Sequence, residues 1–196
     1  MDWERVNVWT NTLYTLIHSL SLAKETEFGD LTTLNSRARE ASAWVAMDCS
    51  YGSILLRHPG GRNKITFRRD PNRHFSAVSQ QLIKMLIQDL VVILDEMMDE
   101  ALAQRGEIAG PYPQSKIEKL KKGLAPNFHW AAQGCLELVA ARNVLTHSKG
   151  LWNEKSIAIV EAFIEPKPKV GEKLSIGITM LFRYRKAMRS LLNQVA

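Results

Sequence analysis

The chain has 196 residues, 45% of them hydrophobic and 23% charged, enough to bury a substantial core as a single domain over residues 1–196 and too apolar for disorder. A net charge of +6 with a pI near 9.4 leans toward a polyanionic partner without requiring one. The two cysteines, Cys49 and Cys135, have no metal-ligand spacing, and the five histidines (His18, His58, His74, His129 and His147) are scattered, so neither a disulfide framework, nor a metal, nor another cofactor is expected.

Apolar surroundings for both cysteines point to a reducing compartment, and the opening Met1-Asp2-Trp3-Glu4 lacks the layout of a signal peptide. A cytoplasmic protein with no membrane partner is the expectation. The greasiest stretch, residues 82–94, is interrupted by Lys84, Gln88 and Asp89 and reads as a core helix.

In chain order, Val6, Trp9, Leu13, Leu16, Ile17 and Leu20 recur at helical spacing, and Gly29 closes that first helix. A second helix is expected after Asp30, an effective N-cap, running through Leu34, Ala38, Ala41 and Val45 and ending by His58-Pro59-Gly60-Gly61. Next comes a basic segment with Arg57, Arg62, Lys64, Arg68, Arg69 and Arg73 against Asp70, within which residues 64–67 suit a short strand. A solvated basic loop and a nucleic-acid contact both fit this segment.

A long third helix over residues 76–104 would bury Leu82, Leu86, Leu90, Ile93 and Met97, and Gly110-Pro111-Tyr112-Pro113 breaks the chain after it. A short basic helix over 114–122 leads to Asn127, a candidate cap for a helix over about 128–148 that stops at Gly150. A small helix over 154–163, a proline-broken turn, a short strand at 174–178 and a final helix marked by Leu181, Tyr184, Met188, Leu191 and Val195 complete the chain. The fold class is therefore all-α, a helical bundle with minor short strands.

No phosphate-binding glycine loop, H-E-x-x-H, C-x-x-C or G-x-S-x-G is present. The chemistry concentrates on the 128–148 helix. There Arg142 projects from an apolar stripe of Ala131, Cys135, Leu138 and Leu145, a costly place for a guanidinium without a partner or a wet crevice. Asn143 and His147, four positions apart, share a face, so the amide could orient the imidazole. A histidine so placed suits acid or base work. Taken alone, the same residues also fit an arginine that snorkels out of the core and a histidine that only caps carbonyls.

The segment Ala141-Arg142-Asn143-Val144-Leu145-Thr146-His147-Ser148-Lys149-Gly150 resembles the signature of the HEPN family: an arginine, a polar residue, three further positions and a histidine near a helix end. The later Val170-Gly171-Glu172-Lys173-Leu174-Ser175-Ile176 before a last helix adds to the likeness, which covers roughly the last third of the chain by motif. The resemblance implies a helical bundle that dimerises through the motif helix. It also implies metal-independent cleavage of RNA, in toxin–antitoxin, abortive-infection or other antiviral systems with an antitoxin or defence protein as partner. Arg142 and His147 would act on the phosphodiester and Asn143 would support them. Some toxin relatives carry a tyrosine two positions after the histidine as a target for modification; here Lys149 stands there, which puts that regulation in doubt.

On an ideal helix Arg142 and His147 point about 140° apart, so one copy does not readily aim both at one spot, whereas two helices across a two-fold axis could. A partner helix would also account for the apolarity of the motif helix on nearly every side. The first expectation is thus an RNA-cleaving homodimer, with Lys149, Trp152, Arg62, Arg68 and Arg69 as weaker candidates for holding the strand. The alternative is a catalytically silent HEPN-like module that binds nucleic acid or a protein.

Overall fold

The structure is a computed structural model and describes residues 1–25 and 71–195. It is all-α, with α1 (Trp3–Glu25), α2 (Pro71–Gln104), α3 (Pro113–Lys121), α4 (His129–His147), α5 (Glu154–Val160) and α6 (Ile178–Val195). The expected second helix, the basic segment with its strand at 64–67, and Cys49 lie outside the described residues. No strand occurs among those described. None forms at 174–178, where one was expected; just before it, Lys173 makes a single antiparallel bridge with Leu151.

The chain divides into two compact units, Met1–Leu16 with Gln80–Ala196, and Ile17–Ser79. The first unit holds the motif helix. Its core takes Val6, Trp9 and Leu13 from α1, and Leu86, Leu90, Ile93 and Met97 from α2, joined by Ile87, Leu94 and Met98. Burying each such side chain stabilises the fold by about 1.5–3 kcal/mol before conformational entropy is charged against it. Trp9 also donates its indole N–H to the Leu86 carbonyl at 2.9 Å, which satisfies a polar group that would otherwise be stranded in the core.

The stretch Ser76–Gln104 of α2 is long and apolar enough to cross a membrane by length and composition. In this fold its apolar stripe faces the protein core, and its carboxylates are used. Asp95 and Asp99 meet the buried Lys116 ammonium at 2.8 and 2.5 Å and fasten α3 to α2. Beyond Gln104 the chain turns at Gly106, where φ is +70°. The amide of Gly106 donates to Ala103 O and that of Glu107 to Leu102 O, a glycine-based closure that satisfies the last carbonyls.

Helix α4 is the centre of the unit, packed against α3, α5 and α6. Asn127 does not cap it. That residue sits inside a 3-10 turn, Pro126–Phe128, and α4 begins at His129 with no side-chain cap, because the proline-led turn already delivers the chain in helical sense. Close approach of α4 to α6 depends on Gly134: a Cβ there would lie 2.6 Å from the Ala187 Cβ. Three turns of α4 are buried nearly all round, including Cys135, Leu136, Leu138, Val139, Ala140 and Ala141. The apolarity read from the sequence as a sign of a partner helix is thus accounted for by neighbours from the same chain.

Candidate functional site

Arg142, Asn143 and His147 occupy the last two turns of α4, where the helix leaves its packed surroundings. Arg142 and Asn143 are half-buried, and Thr146 and His147 are exposed. Within one chain the long arginine side chain overcomes the angular separation of the ideal wheel. Its Nη1 donates to the Asn143 Oδ1 at 3.1 Å and lies 3.4 Å from the His147 Nε2. Two expectations are corrected here: one copy does bring arginine and histidine together, and Asn143 holds the guanidinium rather than the imidazole. A guanidinium can only donate, so a hydrogen bond between the two would use the Nε2 lone pair of His147.

Neither partner is a carboxylate. Among the described residues no carboxylate pairs with Arg142, so its charge stays available at a solvent-facing spot. Arginine donors beside a histidine nitrogen can hold an anionic group while the imidazole exchanges a proton with a neighbouring hydroxyl.

The end of α4 is held by several ties. Gln88 of α2 donates to the Thr146 hydroxyl at 3.1 Å. Asn153 donates to the Ser148 hydroxyl through its amide nitrogen and, through Oδ1, accepts the Ser156 amide at 2.9 Å, capping α5. The chain after His147 thus links one helix terminus to the start of the next. Gln88 and Asn153 were not singled out from the sequence. Asn153 was findable, since an asparagine just before an acidic first turn marks an N-cap. Gln88 carried no such signal, because its value depends on a partner 58 positions away.

The helix ends at His147, one residue short of the expected 148 and three before Gly150. Lys149 takes φ +54° and Gly150 +83°, and Lys149 is the sole non-glycine residue with positive φ among those described. Val144 O accepts from both Ser148 N at 3.2 Å and Gly150 N at 3.0 Å. The turn delivers residues 150–152 against 171–174. Leu174 N donates to Gly150 O, Trp152 N to Glu172 O, and Gly171 N to Trp152 O, each at 2.8 Å.

This pairing settles Trp152. Its side chain is 8% exposed and packs with Ala140, Val144 and Val160 in a small core that Ile157, Phe163 and Leu174 extend. It is not free to stack on a base, and its expected role in holding a strand is withdrawn in favour of anchoring the post-motif turn. Lys149 is exposed beside the site. Arg62, Arg68 and Arg69 lie outside the described residues.

Two further reactive groups, Cys135 and Tyr184, are buried. Burial raises the thiol of Cys135 far above its ordinary range, leaving it a small hydrophobe. Burial and then the neighbouring Glu137 carboxylate raise the Tyr184 phenol likewise. Among the described residues no trio of His, Cys, Asp or Glu side chains converges as metal ligands. Comparison with family models, with curated proteins and with solved structures finds no match.

Proposed function

We propose that the chain is a metal-independent endoribonuclease of HEPN type, working as a homodimer. The observation that carries the reading is the meeting of Arg142, Asn143 and His147 at one solvent-facing helix end, with a guanidinium that no described carboxylate neutralises. In the proposed reaction the RNA 2′-oxygen attacks the adjacent phosphorus as its proton passes to a histidine. The bond from phosphorus to the 5′-oxygen breaks, that oxygen takes up a proton, and a 2′,3′-cyclic phosphate remains. Arg142 meets the charge that grows on the non-bridging oxygens. Each chain offers one His147 at the site; a second copy would supply the acid to the first one's base. A toxin–antitoxin or antiviral setting in the cytoplasm belongs to this reading.

The same geometry favours a second reading. With Arg142 turned onto the His147 Nε2, that nitrogen is occupied, which suits a HEPN-like module that binds and does not cut. The discriminating experiment is cleavage of mixed RNAs in EDTA by wild type and His147→Ala, with product ends identified. Wild-type cleavage to cyclic phosphate ends, lost in the variant and absent on DNA, supports the enzyme. Equal cleavage by both removes His147 from the mechanism, and cleavage by neither assigns the chain to the module.

A further inference from the structure

A different side of α4 meets a basic helix. Between Ile178 and Val195, α6 carries Arg183, Arg185, Lys186 and Arg189 and no carboxylate. Its inner face is set by the buried Leu181, Tyr184, Met188 and Leu191, which leaves Lys186 pointing outward with Arg189 one turn further on. The Lys186 ammonium lies 5.8 Å from the centre of the Trp130 ring, and the Arg189 guanidinium 5.3 Å from that of Trp3. Trp130 is 40% exposed, a large share for an indole at the edge of a well-packed helix.

Among the described residues most charges on this face are not neutralised. Glu137 takes up Arg183, but among the described residues no carboxylate pairs with Arg185, Lys186 or Arg189. The Arg185 Nε is buried with no hydrogen-bond partner among those residues. Contacts with ring faces hold Lys186 and Arg189 in place while leaving their charge intact. Cations interleaved with an exposed indole are the two elements that a single strand requires: phosphate counter-charges and a flat platform for an unstacked base.

We propose that this face binds single-stranded nucleic acid. Arg185, Lys186 and Arg189 meet successive phosphates, and a base stacks on Trp130 as Lys186 shifts from the ring to the backbone. The site goes beyond the cleavage reading. Trp130 leaves α4 at an angle about 100° or more from Arg142 and His147 and about 18 Å from Arg142 along the axis, so the two surfaces are separate.

The test is fluorescence anisotropy of the full chain with a labelled 2′-O-methyl oligonucleotide, which has no free 2′-hydroxyl and so is not cut. Failure of the cleavage reading therefore leaves the result untouched. The expected outcome is tighter binding of the single strand than of its duplex. In the Lys186→Ala/Arg189→Ala double variant the log–log salt slope should fall by roughly 0.7 per lost phosphate contact. Trp130→Ala should weaken binding roughly ten- to a hundred-fold and Trp130→Phe should restore most of it, with circular dichroism confirming that each variant is folded. Lys155→Ala, an exposed cation on α5, should bind as wild type. Absence of binding, a preference for duplex, or equal losses in Lys155→Ala and the α6 variants would each overturn the proposal.

Discussion

Arg142 of α4 and Arg183, which docks on α4 five residues away at Glu137, differ in one respect that matters. Arg183 of α6 reaches the largely buried Glu137, whose carboxylate also accepts the Tyr184 hydroxyl at 3.2 Å. Among the described residues Arg142 reaches only an amide oxygen and an imidazole nitrogen. The first contact cancels charge and fastens two helices; the second positions charge and leaves it uncancelled. A structural arginine and one available for chemistry are told apart here by what they pair with, since both are partly exposed and both lie beside apolar helix faces.

The largest effect should fall on cleavage. On the endoribonuclease reading, His147→Ala loses about a hundred- to ten-thousand-fold in rate and Arg142→Ala about a hundred- to a thousand-fold, measured on one RNA in chelator. Both variants should melt close to wild type, because neither residue secures the core. If Arg142→Ala unfolded the protein while sparing the rate per folded molecule, the contrast between the two arginines would be wrong.

On the other side of the comparison lies stability. Gly134→Ala forces a Cβ to within 2.6 Å of the Ala187 Cβ, and overpacking of this kind costs about 1–3 kcal/mol. A lowered denaturation midpoint is expected, and an unchanged one would mean that α4 and α6 can part without penalty. Glu137→Ala should cost about 1–2 kcal/mol, chiefly by stranding the buried Tyr184 hydroxyl, since Arg183 is exposed enough for water to replace its partner. Its cleavage rate per folded molecule should match wild type.

Lys116 supplies a third case, a buried cation between two carboxylates. Burial pulls its ammonium down, but Asp95 and Asp99 outweigh this and raise its pKa above the ordinary value of 10.5. A raised folded-state pKa contributes stability that is complete below the unfolded value and disappears as pH climbs through the folded one. This contribution should therefore stay constant across neutral pH and fall only in strong alkali. The difference in melting temperature between wild type and Lys116→Met, followed against pH, should show it; a difference that shrank between pH 7 and 9 would contradict the pairing. The smallest effect is at Lys149. Replacing it with glycine removes the penalty of a left-handed side-chain-bearing residue and should stabilise by about 0.5–1 kcal/mol in chemical denaturation.

The sequence was most informative where periodicity ran long. Of the stripe Leu82, Leu86, Leu90, Ile93 and Met97 all but the half-buried Leu82 lie in the core, as do the final helix's Leu181, Tyr184, Met188 and Leu191. Arg142 was legible as a residue out of place on an apolar stripe. Its partners were not, because a wheel assigns directions to Cα–Cβ bonds and cannot follow a side chain long enough to bend back through the difference. The all-round apolarity of α4 was legible as well, but a wheel does not distinguish neighbours in the same chain from those in another. Trp152 was misread for a related reason. Three hydrogen bonds between 150–152 and 171–174 decide which face of the turn is inside, and that pairing spans some twenty residues of intervening chain. The basic face of α6 went unremarked because Arg183, Arg185, Lys186 and Arg189 are dispersed among core positions, and their grouping emerges only once the helix is wound.

The clamp between 150–152 and 171–174 makes the intervening stretch, with α5 inside it, a loop closed at its own base. Its backbone contacts and the small core around Trp152 do not depend on an unbroken peptide through the exposed residues 165–167. A protease that nicks the chain there should leave two pieces that separate in denaturing gels and travel together in native ones. The far piece, bearing α6, would stay seated on α4, and the helix end with Arg142 and His147 would keep its support. A cut in that loop is therefore a silent one, and a foreign sequence spliced into it should leave the motif undisturbed.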